Sequence, residues 1–322
     1  MEQALVSVCV ITYNSAKTIV ETLDSIFSQT YENIELIISD DYSTDDTIRI
    51  CEEWKKVKGG RFRHCELITT EANTGTSANC NRALKAAKGD WIKTIAGDDL
   101  LNPNAIEVMT GYCVANHKEV CFSRLDYFGD EERILEKRAT YEPFYEKYKT
   151  LDKKGQYRLL LKQCVLPGAS MFYSKKLIEE INYIDESYPF YEEWPTFLKF
   201  SEKGYDVPYI QDQLVKYRCE QSGLSAQAKY DDSLKGRTYK IARRKLTDDE
   251  SRFYYEYRRP RLLRNFSFYT VWCSDIKYKL YKICTKPTIS MIDRIHIGLL
   301  KLIRPLSYKY AWNKFMHKIM KS

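Results

Sequence analysis

The amino-terminal third of the chain alternates short apolar runs with amphipathic segments, and this alternation sets the fold class. The first run, LVSVCVI at residues 5–11, is rich in β-branched side chains and is typical of a strand buried on both faces. Further strands are predicted at 34–38, 65–69 and 91–95, and helices between them at 16–29, from about 43 and at 77–87. The β-α-β-α-β-α-β order indicates an α/β fold with a mostly parallel sheet and helices on both faces.

Polar side chains follow three of these strands at the point where each strand ends. In an open parallel sheet, ligands bind beyond the carboxyl ends of the strands, so these side chains are expected to share one rim. The three clusters are Thr12-Tyr13-Asn14, Asp40-Asp41 and Asp98-Asp99. The sequence therefore predicts a ligand site at this rim.

Beyond residue 101 the pattern changes to a mixture of strands and helices. Strands are predicted at 120–127, 169–173 and 214–218, and a helix over 195–203 that stops at Gly204. From residue 230 onward the pattern is helical and rich in aromatic side chains.

The carboxyl-terminal residues differ from the rest of the chain in charge. Residues 251–322 carry 16 Lys and Arg against 3 Asp and Glu, a net charge of +13, whereas residues 1–250 have a net charge of −6. Segments 289–304 and 308–320 fit amphipathic helices with interfacial aromatic side chains, so peripheral contact with an anionic membrane is expected. The alternatives are packing on the body of the protein, a homo-oligomer contact through these helices, and binding to nucleic acid.

No secretory or membrane-spanning segment is predicted. Residues 1–11 lack a basic flank, and the apolar stretch 295–303 is interrupted by His296 and Lys301, well short of the ~20 residues that a spanning helix needs. The ten cysteines include no C-x-x-C pair, which indicates reduced core thiols. These features favour a cytoplasmic protein at the inner face of the cell membrane.

The motifs of the first two thirds resemble those of family 2 glycosyltransferases of the bacterial surface-polysaccharide type, which have the GT-A fold. The resemblance begins with VSVCVITYNSAKTIVETLDSIFSQTYENIELIISDDYSTDDT. It continues through NTGTSANCNRALKAAKGDWIKTIAGDDLL, PGASMFY, YEEWPTFLKFSEKGY and LVKYRCEQSGLS, over roughly residues 5–225.

This resemblance implies a Rossmann-like GT-A nucleotide-diphospho-sugar transferase domain at 1–228. Its nucleotide-binding half would be 1–101 and its acceptor half 102–228, with a basic, aromatic-rich helical appendage at 229–322. The implied reaction is an inverting transfer from a UDP-sugar donor to a glycan or lipid-linked oligosaccharide acceptor, assisted by Mn²⁺ or Mg²⁺.

The resemblance assigns the first two strand ends to the nucleotide. A base needs a stacking or edge partner and an acceptor for its ring N–H, and a tyrosine and a carboxylate at adjacent strand ends supply both. Family position implies that Asp40 accepts from the uracil ring, with Thr12, Tyr13, Asn14 and Asp41 also around the nucleotide. The alternative is that the two aspartates cap the next helix.

A second implied group follows the third strand and consists of Asn73, Gly75, Asn81 and Arg82. These residues would contact the ribose or the donor sugar, and Gly75 would permit close approach of the backbone. Family members commonly have arginine where this chain has Cys80, so the contacts to the diphosphate are expected to differ. The alternative is an Asx turn that leads into a helix.

The pair Asp98-Asp99 matches the acidic metal motif of the family, usually Asp-x-Asp-Asp, although this chain has Ala96 at the first position. A cation held by such carboxylates neutralises the diphosphate as the bond to the sugar breaks. The resemblance makes Asp98 a metal ligand and Asp99 a ligand or a sugar contact. Glu220 stands where many members have histidine and is a second candidate ligand. The alternatives are a helix cap for the aspartates and a loop-entry charge for the glutamate.

Glu192-Glu193 matches the family's Glu-Asp pair. The reaction needs a base to take the proton of the acceptor hydroxyl, and a neighbouring carboxylate helps to raise the pKa of that base. By family position Glu193 is the base and Glu192 its neighbour. The alternative is an exposed acidic pair at the start of a helix.

Two other functions are compatible with parts of the sequence. A nucleic-acid-binding protein would use the basic tail but not the acidic strand ends, so no nucleic acid partner is expected. A sugar-nucleotide nucleotidyltransferase would favour a glycine-rich basic loop after the first strand, whereas residues 12–15 read TYNS.

Overall fold

The computed structural model describes residues 3–160, 166–188 and 192–220. These residues belong to the first of the two units into which the chain divides, residues 1–242. The predicted domain boundary at 228/229 and the predicted tail helices lie outside the described residues. Among the helices of the described part, none is long and apolar enough to cross a membrane.

The first half has the predicted alternation of strands and helices. The strands are β1 (Val6–Thr12), β2 (Ile34–Asp40), β3 (Cys65–Ile68) and β4 (Trp91–Ala96), separated by α1 (Ile19–Phe27), α2 (Thr47–Lys58) and α3 (Thr76–Ala86). Helices α1 and α2 begin later than predicted because the preceding residues form turns. Asp45 accepts hydrogen bonds from the backbone N–H groups of Thr47 (3.0 Å) and Ala16 (3.1 Å), which holds both turns in place.

The second half adds five helices and four strands to the described part. They are β5 (Leu100–Leu101), α4 (Ala105–Ala115), β6 (Val120–Gly129), α5 (Glu131–Tyr148), α6 (Lys153–Leu160), β7 (Met171–Ser174), α7 (Lys175–Glu180), α8 (Glu193–Glu202) and β8 (Tyr209–Cys219). The sequence did not predict α5, which begins where the carboxylate of Asp130 accepts from the backbone N–H of Arg133 (3.0 Å). Gly204, at φ +87°, follows α8 as predicted.

All eight strands form one sheet in the order β3-β2-β1-β4-β7-β6-β8-β5. The first four are parallel, β7 is antiparallel to both of its neighbours, β6 and β8 are parallel, and β5 is antiparallel to β8. In this register Thr12 lies opposite Asp40, and Ile11 lies opposite Ala96. The carboxyl ends of β1, β2 and β4 therefore meet at one rim, as the sequence predicted.

Apolar side chains are buried on both faces of the sheet. Val8 and Val10 of β1 pack on one face with Leu23 of α1, whereas Cys9 packs on the other face with Leu84 of α3. Full burial of a Val or Leu side chain contributes roughly 1.5–3 kcal/mol. Since helices cover both faces, the rim at the strand ends is the part of the sheet that remains for a ligand.

The opposite rim of the sheet contains a buried carboxylate. Glu35 of β2 is buried and accepts hydrogen bonds from the hydroxyl of Ser7 and from the backbone N–H groups of Lys88 and Gly89 (3.0 Å for Gly89). Ser7 precedes Thr12 by five strand residues, about 17 Å at ~3.3 Å per residue. Glu35 therefore ties the connection between α3 and β4 to the sheet far from the ligand rim.

Candidate active site

The loops that follow β1 and β2 interlock at the rim. The side-chain oxygen of Asn14 accepts from the backbone N–H of Thr44 (2.8 Å), and the backbone N–H of Asn14 donates to the hydroxyl of Ser43 (2.8 Å). Asn14 has φ +51°, a left-handed conformation that asparagine adopts more readily than most residues. The backbone N–H of Asp41 donates to the carbonyl of Thr12 (3.0 Å). These bonds fix the two strand ends relative to each other.

Asp40 is fully buried at the end of β2. Its carboxylate accepts from the backbone N–H (2.8 Å) and the hydroxyl (2.5 Å) of Ser43, whereas α2 begins only at Thr47. Asp40 therefore stabilises the turn after β2 and is not the N-cap of α2. Opposite it, the buried hydroxyl of Thr12 has no hydrogen-bond partner among the described residues.

Asp41 anchors the loop before α3. Its carboxylate accepts from the backbone N–H groups of Thr74 and Gly75, from the hydroxyl of Thr74 and from the guanidinium of Arg82, all at 2.6–3.1 Å. Gly75 has φ +91°, a conformation that favours glycine. Asn73 lies on the same loop and is exposed. The polar atoms of Asp41 thus shape the loop on which Asn73 and Gly75 lie.

Asn81 has a similar anchoring role in the structure. It is buried on α3, where its amide donates to the carbonyl of Ile184 (2.9 Å) and to Glu186 (2.8 Å), and its oxygen accepts from the backbone N–H of Ile184 (3.1 Å). These bonds tie the segment that leads toward α8 to the nucleotide half. Tyr13, by contrast, lies half-buried at the rim itself.

Asp98 and Asp99 follow β4 at the same rim. A Cβ at the preceding Gly97 would come within 3.1 Å of the Thr12 hydroxyl, so glycine lets this turn pack closely against the end of β1 without displacing that side chain. Asp98 is half-buried. Asp99 is buried, and its carboxylate accepts from the backbone N–H of Arg218 (2.9 Å).

Arg218 joins the end of β8 to this acidic turn. Its Nε donates to the carbonyl of Asp98 (2.9 Å), and its guanidinium forms an ion pair with Glu21 (2.6 Å) and lies 4.5 Å from the centre of the Phe128 ring. The same guanidinium lies 4.0 Å from the carboxylate of Glu220. Arg218 therefore brings Glu220 to the side of the site that holds Asp98.

The electrostatics of this acidic turn fit a divalent cation. Burial raises the pKa of Asp98, and Glu220 adds to this while Arg218 opposes it; burial and then Asp98 raise the pKa of Asp99 well above its usual range. Two adjacent carboxyl groups with little exposure are stable in their charged forms only beside a cation. Their oxygens are hard ligands suited to Mg²⁺ or Mn²⁺. Within the described ranges, no group of three His, Cys, Asp or Glu residues could hold a metal. A cation here would thus take further ligands from a bound substrate or water.

A second acidic pair lies at the start of α8. Glu193 contacts the turn that contains Gly168, where a Cβ would come within 3.2 Å of the Glu193 Cβ. Burial and then Glu193 raise the pKa of Glu192 to about 8, and burial also raises the pKa of Glu193, although nearby Lys137 opposes that rise. The two carboxyl groups share a hydrogen bond. A shared proton is therefore favoured in this pair at neutral pH, and Lys137 favours the charged form of Glu193.

Two lysines near these acidic groups were absent from the sequence-based site. Lys137 of α5 lies 5.2 Å from the ring centre of Tyr217 and 5.7 Å from that of Tyr141. Sequence reasoning did not find it because it did not predict α5. Lys93 is buried within β4, and a lysine inside the apolar run WIKTIA was the signal that could have identified it.

Comparison with protein families identifies a family model that matches a large part of the chain. The family model described as Glycosyl transferase family 2 matches residues 7–181, more than half of the chain. The putative glycosyltransferase EpsE of Bacillus subtilis (strain 168) is 38% identical over 107 residues, which span 33% of this chain and 37% of EpsE. The UDP-Glc:alpha-D-GlcNAc-diphosphoundecaprenol beta-1,3-glucosyltransferase WfaP of Escherichia coli is 29% identical over 224 residues, which span 69% of this chain and 80% of WfaP.

Two solved structures share the fold. The mannosyltransferase PcManGT from Pyrobaculum calidifontis, in complex with GDP-Man and Mn²⁺, has a TM-score of 0.54 at 15% identity over 98% of this chain and 89% of its own. S. aureus TarS 1-349 in complex with UDP-GlcNAc has a TM-score of 0.52 at 17% identity, over 88% of this chain and 82% of its own. These likenesses confirm the predicted GT-A fold.

The shared proton of the acidic pair predicts how stability depends on pH. Because the pKa of Glu192 is raised from 4.5 to about 8, the folded protein holds a proton that the unfolded chain releases between these values. The free energy of unfolding should therefore fall as pH rises from about 5 to about 8. Glu192→Gln should reduce this loss, as measured by thermal unfolding at pH 5.5 and pH 8.5. The exposed Glu52→Gln serves as a control that should behave like the wild type. An unchanged pH dependence in Glu192→Gln would contradict the shared proton.

Proposed function

This chain belongs to glycosyl transferase family 2 and is a glycosyltransferase, and we propose that it moves a sugar from a UDP-sugar to a hydroxyl group of a glycan or lipid-linked oligosaccharide, with inversion at the anomeric carbon. The observation that carries the proposal is the convergence of the ends of β1, β2 and β4, with Asp40 opposite Thr12 and Asp98 at the same rim. The name of the relative WfaP gives UDP-Glc as its donor and a diphosphoundecaprenol-linked GlcNAc as its acceptor, which supports both substrate classes.

In this proposal the uracil ring lies at the ends of β1 and β2. Each carboxylate oxygen has two lone pairs, so Asp40 can accept from a ring N–H while it also accepts from Ser43. Thr12, which lies opposite Asp40 at the end of β1, borders the same position. Half-buried Tyr13 offers a ring for stacking or edge contact, and Asn14 keeps the adjoining loop in place.

The loop before α3 contacts the ribose or the donor sugar in the same proposal. Asn73 is exposed and free to face a ligand, and Gly75 lets the backbone approach closely. Asp41 and Asn81 act through their hydrogen bonds, since the first shapes this loop and the second attaches the segment before α8. Asp41 and Asn81 therefore contribute to donor binding by positioning neighbouring groups.

Asp98 is the proposed ligand for Mn²⁺ or Mg²⁺, with Glu220 as a second ligand and Asp99 as a ligand or a contact to the sugar. When bound, the cation would neutralise charge on the departing diphosphate. The chain's own contribution is to hold these acidic groups together. Arg218 does so, because its backbone N–H binds Asp99 and its guanidinium approaches Glu220.

Glu193 is the proposed base. In an inverting transfer the acceptor oxygen attacks the anomeric carbon from the side opposite the UDP, so that the new C–O bond forms as the bond to the phosphate oxygen breaks. The proton of the acceptor hydroxyl passes to a carboxylate. Glu193 suits this step because burial makes it more basic, while Lys137 and the protonated Glu192 favour its ionised form.

The basic tail at 251–322 is proposed to hold the protein on the inner face of the cell membrane. A lipid-linked acceptor would lie there, and the net charge of +13 is attracted by an anionic leaflet. Contact with a second subunit in a homo-oligomer is the alternative role for this segment.

The proposed function predicts metal-dependent turnover of a UDP-sugar. With Mn²⁺, the protein should release UDP from UDP-glucose or UDP-N-acetylglucosamine, and Asp98→Asn should lower the rate by roughly 10²-fold or more, since charge stabilisation by a metal is worth several kcal/mol. The same substitution at exposed Asp212 is the matched control and should leave the rate unchanged. Full turnover by Asp98→Asn or by the wild type in EDTA would contradict the metal assignment. Failure to turn over any UDP-sugar would contradict the donor class.

The proposed membrane contact predicts the effect of removing residues 251–322. The truncated protein should no longer bind vesicles that contain phosphatidylserine, because the remaining residues carry a net charge of −6, and it should still bind UDP. Vesicle co-sedimentation and calorimetry measure the two properties. Binding of the full chain should weaken as salt rises, since the Debye length is about 8–10 Å in physiological salt. If the full chain ignores these vesicles at low salt, the oligomer contact becomes the better explanation.

A further inference from the structure

A lysine is buried in the middle of the sheet. Lys93 lies on β4 between β1 and β7 and has no exposed surface. Burial lowers its pKa to about 7, and the titratable groups that face it are Asp99 beyond the end of β4, Cys121 of β6 and Cys9 of β1. An apolar side chain would fill this position without a desolvation penalty. The specific contribution of the lysine is therefore the set of hydrogen bonds that it makes.

Those hydrogen bonds join β4 to the segment before β7 at the point where the pairing of the two strands ends. The pairing of β4 with β7 ends at Lys93 and Phe172. The Lys93 Nζ donates to the carbonyl of Thr94 (2.6 Å) and to the carbonyl of Ala169 (2.5 Å). Both carbonyl groups lie beyond the last paired residues of β4 and β7. The amino group of Lys93 therefore fastens β4 to the 168–170 turn where the backbone pairing has ended.

The fastened turn is the one that contacts the proposed base. Residues Gly168–Ser170 form a short 3-10 turn that is closed by the backbone N–H of Ser170 on the carbonyl of Pro167 (3.1 Å). Gly168 leaves so little space that an added Cβ would lie 3.2 Å from the Cβ of Glu193. A displacement of this turn would therefore move Glu193 or open a gap beside it. The contacts run from Lys93 through Ala169 and Gly168 to Glu193.

We propose that Lys93 is a positioning residue for sugar transfer, because it fixes the Gly168–Ser170 turn against which Glu193 packs. This inference rests on the proposed function, in which Glu193 is the base. Lys93 lies within the sheet and acts through the turn, without contact to donor or acceptor. Because a misplacement of about 1 Å in a reacting geometry can lower a rate by roughly 10²-fold, a buried residue of this kind affects turnover more than donor binding.

The test compares Lys93→Met, Glu193→Gln and the double variant in the full-length protein. UDP release from UDP-glucose and UDP-N-acetylglucosamine with Mn²⁺, in which water takes the place of the acceptor hydroxyl and receives the sugar, gives kcat. Calorimetry gives the Kd for UDP. Lys93→Met should lower kcat by about 10- to 100-fold while the Kd for UDP changes less than about twofold. In the Glu193→Gln background it should have little further effect, because both changes act on the same step. Glu35→Gln, which removes a buried charge at the far rim, is the matched control and should lower the melting temperature with kcat unchanged.

The outcomes separate this inference from the function on which it rests. If Glu193→Gln turns over normally, the base assignment fails. If Glu193→Gln is impaired but Lys93→Met has wild-type kcat, or lowers kcat equally in both backgrounds, the positioning role is overturned. Should Lys93→Met fail to fold, Gly168→Ala tests the same path from the other end and should lower kcat with the Kd for UDP retained. Wild-type kcat in Gly168→Ala would then overturn the proposal.

Discussion

The parallel pairing of β1 with β2 and β4 is the constraint on which the rest of the site depends. Its register places Thr12 opposite Asp40 and Ile11 opposite Ala96, so three loops leave the sheet at one rim. Gly97 permits close packing of the third loop on the end of β1, because a Cβ there would lie 3.1 Å from the Thr12 hydroxyl. A slip of one residue in this pairing would turn the buried side chains to the opposite face and separate the polar groups. The same pairing that buries the core thus assembles the site.

The described part of the chain holds two acidic pairs in which burial disfavours charge. At Asp98 and Asp99 burial favours the neutral forms; Glu220 adds to this at Asp98, and Asp98 adds to it at Asp99. A bound cation would reverse this preference. At Glu192 and Glu193 the pair shares a proton, and nearby Lys137 favours charge on Glu193. One pair is therefore suited to bind a metal and the other to accept a proton. In the account proposed here, these are the two requirements of transfer from a nucleotide sugar.

Features that depend on neighbouring residues in the chain could be predicted from the sequence, whereas contacts between distant residues could not. Strands β1, β2 and β4 were predicted because their runs are mostly apolar, despite Glu35 in β2 and Lys93 in β4, and end at polar clusters. Helix α5 was missed because Pro143 interrupts a segment with few buried side chains, and tertiary packing of the aromatic residues near Tyr145 outweighs that local signal. The anchoring bonds of Asn81 could not be predicted, because its partner Ile184 lies 103 residues away in the chain and reaches it only in the folded protein.

A structure of the protein with UDP and Mn²⁺ tests the central claim most directly, because it locates the donor nucleotide relative to the strand ends. The account predicts the uracil ring between Tyr13 and the end of β2, with a ring N–H within about 3 Å of an Asp40 oxygen. It also predicts that the cation binds Asp98 and the diphosphate at the same time. UDP bound away from the rim formed by β1, β2 and β4, or UDP at this rim with the cation bound elsewhere than Asp98, would contradict the account.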